Sequence, residues 1–388
     1  MIETKITSSK SNNEFFQFAK NKNSTTSYTA DMFNASPQRV TDWRWQIQNQ
    51  IQNKQQADKI RLNSAESSGF EKVDKIFHTG ISPYYSALIN QNPQTQGLRL
   101  QTVPRIEELF DSQGQKDPLD EKDHSPVREV IHAYPDRVAF CVANLCPVYC
   151  RYCFRKRRDA ETGLHYNKNV IRSGIDYIAS QPGIKDVLIT GGDPFISSDS
   201  SIENLLIELR KIPHVEIIRF GTRTPVALPY RVTKKLANIL SKYHPIWVNT
   251  HFNCVEEITP EAILALNNLT NAGIPVGNQS VLLKGVNDSV DKMKDLCQAL
   301  IRNRVRPYYL FYPHLIEGTK HLRVPVSKGI DIIKGLRGKI SGYAIPNYVV
   351  DTPSGKVPLS HNYVLGKEKN SLLLEDLHGQ IWKEDFAF

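Results

Sequence analysis

From about residue 137 to residue 350, short apolar runs alternate with amphipathic stretches of helical spacing, and this alternation constrains the fold more than any other feature. Alternating strands and helices build a parallel sheet from βαβ units. Six units without a dinucleotide-binding fingerprint favour an α/β fold with a partial (β/α)6 barrel, whose active site lies at the carboxyl ends of its strands. We predict strands at 138–142, 186–190, 215–220, 246–249, 276–281 and 306–311. Helices are predicted at 201–211, 231–243, 259–272, 288–303 and 326–335.

The flanking segments differ from this core in composition. Residues 1–35 are rich in Ser, Asn, Lys and Thr and lack periodicity, which indicates a polar, poorly ordered tail. Residues 36–130 carry helical spacing and are predicted to form a helical N-terminal extension, ahead of a barrel over residues 131–350. Residues 351–388 form a separate C-terminal segment, with a hairpin-like stretch around His378 and Gly379.

Charge and hydropathy narrow the class of protein. The formal net charge of +9 suits a nucleic-acid binder, but it also suits an enzyme that holds anionic phosphates and carboxylates. The basic residues do not form a stripe with interleaved aromatic residues, so we expect no nucleic-acid partner. No run of about 18 uncharged apolar residues occurs, so no membrane-spanning helix is expected. The first residues contain no apolar signal region, which favours a cytoplasmic protein.

The cysteines are unevenly distributed along the chain. Four of the six fall within thirteen residues, a clustering that in an intracellular protein indicates metal or redox chemistry. Cys146, Cys150 and Cys153 follow the first predicted strand with the spacing C-x3-C-x2-C. Three thiolates can hold three irons of a [4Fe–4S] cluster and leave the fourth iron open to a small molecule, which is the radical S-adenosylmethionine signature. The alternative is a zinc site completed by a distant His or Asp.

Further candidate site residues lie at the ends of the other predicted strands, where a barrel enzyme has its active site. Glycines let the backbone approach a ligand closely, and Asp193 can accept a hydrogen bond from an ammonium group. A Gly-Gly-Asp sequence by itself is a common turn. The candidates are Gly191-Gly192-Asp193 at the second strand, His251 at the fourth, Gln279 at the fifth and His314 at the sixth.

With these residues in place, the chain resembles the lysine 2,3-aminomutase family from Asp42 to about residue 380. The resemblance implies a radical S-adenosylmethionine isomerase that also uses pyridoxal 5′-phosphate. In the implied reaction a 5′-deoxyadenosyl radical removes a substrate hydrogen, and the α-amino group of an L-amino acid moves to C3 as a pyridoxal imine, which gives a β-amino acid. The family-like stretches are HAYPDRV (132–138), CPVYCRYCFRKR (146–157), GTRTPVALP (221–229), YHPIWVNTHFN (243–253), GNQSVLLKGVND (277–288), RVPVSKGIDIIKGLRGKISGYAIPNYVVD (323–351) and NYV (362–364).

The resemblance also implies roles for individual residues and partners. Lys356 matches the lysine that binds pyridoxal, and Tyr134 and Arg137 match residues near its ring and phosphate. Arg155 matches the residue that holds the substrate α-carboxylate, and Asp351 matches one of two carboxylates that hold the distal ammonium of lysine. An electron donor such as flavodoxin or ferredoxin and a homo-oligomeric state are implied as well. Cys146, Cys150 and Cys153 would hold the cluster, Gly191, Gly192 and Asp193 the methionine end of S-adenosylmethionine, and His251 and Gln279 its adenosyl end.

Two departures from the family pattern bear on the substrate. The loop from Asp351 to Lys356 reads DTPSGK and lacks two residues of the usual four-glycine sequence. His314 occupies the position of the second substrate carboxylate, where a neutral imidazole adds no charge and a protonated one would repel an ammonium group. The remaining carboxylate of Asp351 favours lysine, or another amino acid with a basic or polar tail such as arginine or ornithine. It would repel the acidic tail of glutamate.

Other departures concern the cofactor and metal sites. Ala133 replaces a frequent arginine of the family, so phosphate binding would depend on Arg137 and on other donors such as Arg223 or Arg231. No cysteine follows Cys297, so no structural zinc is expected.

Several alternatives remain open at this point. They are a protein-modifying lysyl aminomutase of the elongation factor P type, a glutamate or arginine 2,3-aminomutase, and an Fe–S or zinc protein that binds nucleic acid.

Overall fold

A nine-stranded sheet organises the part of the chain that the computed structural model describes, residues 14–156, 168–368 and 371–385. Neighbouring strands in the sheet are also consecutive in the sequence. The strands are β1 (Val130–Tyr134), β2 (Arg137–Ala143), β3 (Asp186–Gly191), β4 (Ile217–Gly221), β5 (Ile246–Thr250), β6 (Val276–Val281), β7 (Val305–Phe311), β8 (Asn347–Thr352) and β9 (Gly355–Pro358).

Strands β2 to β8 run parallel, while β1 and β9 pair antiparallel to β2 and β8. All six predicted strands are present, and β8 is a seventh parallel strand that the sequence did not reveal. Its apolar core, Tyr348 and the two valines after it, is too short to stand out beside Asn347 and Asp351. Pairing with β7 and β9, rather than its own residues, makes this segment a strand.

The first and last strands of the sheet approach each other. The backbone N–H of Lys356 on β9 donates to the hydroxyl oxygen of Tyr134 on β1, at 3.0 Å. This contact joins the two edges of the sheet, which is therefore a nearly closed barrel. The expected α/β barrel is confirmed.

Helices accompany the strands and precede them. Four of the helices between the strands begin at polar caps: Ser198, Thr233, Thr259 and Ser289 each accept the backbone N–H of the residue three positions later, which satisfies a donor of the first turn. The helices are α1 (Thr25–Phe33), α2 (Pro37–Val40), α3 (Trp43–Gln48), α4 (Lys54–Ala57), α5 (Ser64–Val73), α6 (Pro83–Gln91), α7 (Gln96–Thr102), α8 (Lys168–Ser180), α9 (Asp199–Arg210), α10 (Thr224–Ala227), α11 (Lys234–Leu240), α12 (Pro260–Asn271), α13 (Val290–Arg302) and α14 (Val326–Leu336).

The expectation of a poorly ordered tail over residues 1–35 is wrong for residues 14–33, while its first thirteen residues lie outside the described part of the chain. A 3₁₀ helix (Glu14–Lys20) and α1 pack against the barrel, and Phe15 is completely buried. The backbone N–H and the hydroxyl of Thr26 both donate to Glu261 of α12, at 2.9 and 2.8 Å. Composition suggested disorder because this segment is anchored by a few buried groups rather than by a periodic apolar face.

The C-terminal segment forms a second, three-stranded sheet of β10 (Val364–Glu368), β11 (Ser371–Glu375) and β12 (Ile381–Asp385). Strands β11 and β12 pair antiparallel, and Gly379 adopts a φ of 80° in the turn between them, which confirms the hairpin expected there. Within the described ranges, no helix has both the length and the apolarity that a membrane crossing requires.

Candidate active site

The cysteine loop leaves the carboxyl end of β2 and is anchored by a buried carboxylate. Glu108, in a 3₁₀ helix (Ile106–Phe110) of the N-terminal region, binds Arg151 at 2.7 Å and Lys156 at 2.6 Å. Burial alone would raise the pKa of Glu108, but the two cations outweigh burial and lower it to about 2. The loop is therefore fixed on both sides of Cys153 by one ionised side chain.

The glycines after β3 pack directly against the strand end that leads into the cysteine loop. Gly192 N–H donates to the carbonyl oxygen of Ala143 at 2.6 Å, and Asp193 N–H donates to that of Leu145 at 2.7 Å. A Cβ atom on Gly192 would lie 2.5 Å from the Leu145 oxygen, closer than real contacts allow. Gly191 has a φ of 132°, which side-chain-bearing residues rarely adopt. Glycine is required at both positions so that the end of β3 can pack against Ala143 and Leu145, directly before Cys146.

Asp193 holds together the loops that follow β3 and β4. Its carboxylate accepts hydrogen bonds from Phe195 N–H at 3.1 Å, from the Thr222 hydroxyl at 2.6 Å and from Arg223 N–H at 2.8 Å. Burial raises the pKa of this carboxyl. Three protein donors therefore already use the carboxylate of Asp193. Its expected contact with the methionine end of S-adenosylmethionine stays a prediction.

Arg223 is buried beneath the cysteine loop rather than at a phosphate site. Its Nη1 donates to Cys150 Sγ at 2.7 Å, while Nη2 donates to Glu257 at 2.8 Å and to Gln101 at 2.6 Å. The expectation that Arg223 binds a cofactor phosphate is therefore wrong, because its side chain is held between a cysteine and a buried carboxylate.

Arg231 does not fit the phosphate role either. It is buried, its guanidinium donates to the carbonyl oxygens of Phe195 and Ser197, and it pairs with Asp199 at 2.8 Å. These contacts connect the loop after β3 to the loop after β4. The basic residues of a sequence cannot be divided into structural and ligand-binding ones until such partners are known.

His251 lies at the carboxyl end of β5, beside the cysteine loop. Its ring stacks on Tyr152, which lies between Cys150 and Cys153, with ring centres 5.6 Å apart. Burial and the nearby Arg223 lower the pKa of His251 to about 3, against a hydrogen bond to the backbone of Gln279. A neutral imidazole is thus fixed next to Gln279, and the two residues expected at one end of a ligand are adjacent.

The shortened lysine loop closes as a tight hairpin between β8 and β9. Asp351 is the direct partner of Lys356, and Thr352 that of Gly355. The ammonium nitrogen of Lys356 lies 2.8 Å from Asp351 Oδ1, and His314 Nε2 lies 3.2 Å from Oδ2. Burial would raise the pKa of Asp351, but these two partners outweigh it and lower the pKa. Three of the candidate residues therefore form one cluster.

Arg155 is held by a residue that the sequence did not single out. Its Nε and Nη2 donate to Glu121 at 3.0 and 2.8 Å, and Nη1 lies 3.4 Å from the hydroxyl of Thr190 at the end of β3. Glu121 belongs to the acidic stretch DPLDEKD, in which no local pattern distinguishes one carboxylate from another. Only the fold shows which acid orients Arg155.

Tyr134 and Arg137 form the turn between β1 and β2. The guanidinium carbon of Arg137 lies 3.7 Å from the centre of the Tyr134 ring, and Arg137 also pairs with Asp136 at 2.8 Å. Through its hydroxyl, Tyr134 contacts the backbone of Lys356. A half-exposed guanidinium and the lysine hairpin therefore meet at one place on the barrel edge.

Two family profiles match the chain. Residues 140–297 match the Radical SAM superfamily, and residues 333–384 match Lysine-2,3-aminomutase. The L-lysine 2,3-aminomutase of Fusobacterium nucleatum is 44% identical over 90% of this chain and 83% of its own length. The chain belongs to the lysine 2,3-aminomutase family.

This family includes more than one substrate specificity. The glutamate 2,3-aminomutase of Clostridioides difficile is 39% identical over 91% of this chain and 84% of its own. Among solved structures, Streptococcus suis SuiB aligns with a TM-score of 0.43 and 16% identity over 56% of this chain and 50% of that one, a likeness too low to add to the assignment. The protein is a radical S-adenosylmethionine aminomutase, and hence an isomerase.

As a radical S-adenosylmethionine enzyme, the aminomutase requires a [4Fe–4S] cluster, and the cysteine loop has the donors for it. Among the described residues, no three or more His, Cys, Asp or Glu side chains converge on a single metal-ion position. Cluster ligands need not converge, because each cysteine binds a different iron. Next to Cys150, Nε of Arg223 is buried and has no hydrogen-bond partner anywhere in the described ranges. A buried guanidinium with one N–H donor still unused fits an anionic cluster.

Proposed function

We propose that this aminomutase moves the α-amino group of L-lysine, or of another L-amino acid with a basic or polar tail, from C2 to C3 to give a β-amino acid. The observation that carries the proposal is the contact between Lys356 and Asp351, which shows a primary ammonium group bound to this carboxylate. When bound, the cluster, S-adenosylmethionine and pyridoxal phosphate supply radical hydrogen abstraction and electron delocalisation beside the migrating nitrogen.

In this proposal Lys356 holds pyridoxal phosphate, and Tyr134 fixes the backbone of Lys356 through its hydroxyl. The guanidinium of Arg137 binds the phosphate, since an arginine is always charged and presents several donors. Because Ala133 provides no second cation, Arg137 contributes a larger share of the phosphate binding than it would beside a second arginine. The hairpin from Asp351 to Lys356 fixes the position of the lysine at the edge of the barrel, directly across from Asp351.

A substrate tail would use the oxygen that Lys356 vacates. Once Lys356 holds the cofactor, Oδ1 of Asp351 loses its cation and can accept a substrate ammonium, while His314 still contacts Oδ2. His314 and Lys356 lower the pKa of Asp351, and a substrate ammonium would replace Lys356 in this role. An acidic tail at this position would be repelled, which favours lysine, ornithine or arginine over glutamate.

At the other end of the substrate, Arg155 would bind the α-carboxylate. Its hydrogen bonds to Glu121 orient the guanidinium and leave Nη1 directed toward Thr190, at the carboxyl end of β3. Charge-assisted bonds from arginine to a carboxylate are strong and directional. We further propose a low-potential electron donor such as flavodoxin or ferredoxin and a homo-oligomeric state.

The test is to incubate the reduced enzyme, under anaerobic conditions with both cofactors, with lysine, ornithine, arginine and glutamate in separate reactions. Mass spectrometry of derivatised products should reveal β-lysine or another β-amino acid with a basic tail. Conversion of glutamate without conversion of any basic amino acid would refute the role of Asp351. If none of the four is converted, a further reaction with a lysine attached to a protein tests the elongation factor P type of enzyme.

A further inference from the structure

We infer that Arg223 raises the reduction potential of the iron–sulfur cluster by donating a hydrogen bond from a buried, charged guanidinium to Cys150 Sγ. The inference depends on the cluster that radical S-adenosylmethionine enzymes share, and it is independent of the proposed substrate and of pyridoxal phosphate. Arg223 acts here through Cys150, as a positioning residue for the cluster.

The contact is built into the fold. Arg223 follows β4 and is buried, and its Nη1 lies 2.7 Å from the sulfur. Its backbone N–H is fixed by Asp193 at 2.8 Å, and its guanidinium carbon lies 5.5 and 5.6 Å from the ring centres of Tyr85 and Tyr152. The guanidinium therefore has little freedom to move away from the cysteine loop.

Glu257 balances the charge of Arg223 without taking the donor that faces the sulfur. It binds Nη2 at 2.8 Å, and it also accepts hydrogen bonds from the Tyr85 hydroxyl at 2.7 Å and from Asn253 N–H at 2.7 Å. Nη1 remains directed at Cys150. The positive member of the ion pair thus contacts the cluster ligand, while its carboxylate is held by other elements.

The electrostatic consequence has a definite sign. Reduction adds one electron to the cluster, and hydrogen bonds and positive charge at the cysteine sulfurs stabilise the more negative, reduced state. Because the pair is buried, solvent screens this interaction weakly. Arg223 therefore raises the reduction potential of the cluster. The negative carboxylate of Glu257 partly offsets the positive charge of Arg223, and so it lowers this potential.

The test compares Arg223→Gln with Glu257→Gln in the full-length protein carrying a reconstituted cluster, without S-adenosylmethionine or substrate. Midpoint potentials are measured by redox titration followed by electron paramagnetic resonance. Arg223→Gln should lower the potential, with about a tenfold smaller ratio of reduced to oxidised cluster at a fixed poise, which equals about 59 mV for a one-electron couple. Glu257→Gln should shift the potential in the opposite direction.

Arg210→Gln is the matched control. Arg210 donates to the carbonyl oxygens of Val215 and Pro245 at the amino ends of β4 and β5, whereas the cysteine loop lies at the carboxyl ends of the barrel strands. Its potential should equal that of the wild type. An Arg223→Gln protein with full iron content and an unchanged potential would overturn the inference. If Arg223→Gln does not retain iron, Glu257→Gln decides: a higher potential supports the inference, and an unchanged or lower one refutes it. Loss of iron from both variants would also refute the inference, since the Arg223–Glu257 pair would then maintain the fold around the cluster rather than adjust its reduction potential.

Discussion

The ammonium nitrogen of Lys356 lies 2.8 Å from Oδ1 of Asp351, its direct partner across the β8–β9 hairpin. The pair is set by the short loop: Thr352 and Gly355 close the hairpin, and Gly355 adopts a φ of 129° that a side chain would disfavour. The shortened loop therefore keeps Lys356 within ion-pair distance of Asp351. It places Lys356 and the carboxylate proposed to bind the substrate tail on opposite sides of one turn.

Replacing Lys356 by alanine should abolish attachment of pyridoxal phosphate to the chain, because the variant lacks the amine that we propose attacks the cofactor carbonyl. After borohydride reduction and digestion, mass spectrometry should find the pyridoxyl group on the peptide with Lys356 in the wild type and not in the variant. Aminomutase activity should fall to the assay background. Lys339→Ala, at an exposed lysine, is the control and should keep both signals.

Changing His314 to aspartate should improve the turnover of lysine. The substitution places a second carboxylate beside Asp351, where His314 Nε2 now lies 3.2 Å from Oδ2. A charged hydrogen bond contributes about 1.5–3 kcal/mol. We therefore expect kcat/KM for lysine to rise at least about tenfold, which corresponds to about 1.4 kcal/mol. His314→Asn, which adds no charge, should not show this gain, and an equal gain in both variants would argue against the electrostatic explanation.

Adding a methyl group to Gly192 should reduce cluster incorporation. A Cβ atom there would lie 2.5 Å from the carbonyl oxygen of Leu145, so the chain entering the cysteine loop must move. Iron content per chain after anaerobic reconstitution is the measurement. Gly342→Ala provides the comparison, since a Cβ atom at Gly342 meets nothing within 4 Å. Equal iron content in the two variants would show that the loop tolerates the displacement.

Glu108→Gln should lower the free energy of unfolding by about 3–5 kcal/mol at neutral pH, because it leaves Arg151 and Lys156 buried without a carboxylate. Denaturant titrations of the metal-free protein measure this change. The control is Glu71→Gln, which breaks an exposed pair with Lys54 and should change stability little.

Glu108 also makes stability depend on pH. The pKa of Glu108 is about 2 in the folded chain and 4.5 in the unfolded chain. Its contribution of about 3 kcal/mol to the free energy of unfolding is therefore present above pH 4.5 and declines as pH falls toward 2. The Glu108→Gln variant should show a weaker decline in this range. Parallel curves for the variant and the wild type would indicate that Glu108 does not titrate with a lowered pKa.

Phe15→Ala should destabilise the protein by about 3–5 kcal/mol, the usual result of removing a buried aromatic ring. The ring is completely buried and packs edge-on against Tyr230, with centres 5.4 Å apart. Thermal or chemical denaturation measures the change. Phe110→Ala, at a ring that is 68% exposed, is the matched substitution and should have a small effect. A small effect at both positions would show that the segment around Phe15 contributes little to the stability of the barrel.

Much of the barrel was predictable because its signals are local. The six predicted strands all exist, since each is a compact apolar run, and the predicted helices lie close to the observed ones. The helix Lys168–Ser180 and the strands β1, β8 and β9 were not predicted. These strands are short and partly polar, and their pairing partners rather than their own residues define them.

The parallel barrel, the cysteine spacing and the family can be recognised from local sequence, because periodicity and motif spacing are properties of neighbouring residues. Which charges meet depends on the folded chain. Glu108 reaches Arg151 across 43 positions, Glu121 reaches Arg155 across 34, and Arg223 contacts Cys150 across 73. No local pattern predicts such pairs, since a buried ion pair forms only where the packing of distant elements excludes water from both partners. For the same reason, the sequence alone does not distinguish Arg223, the partner of Cys150, from a phosphate ligand.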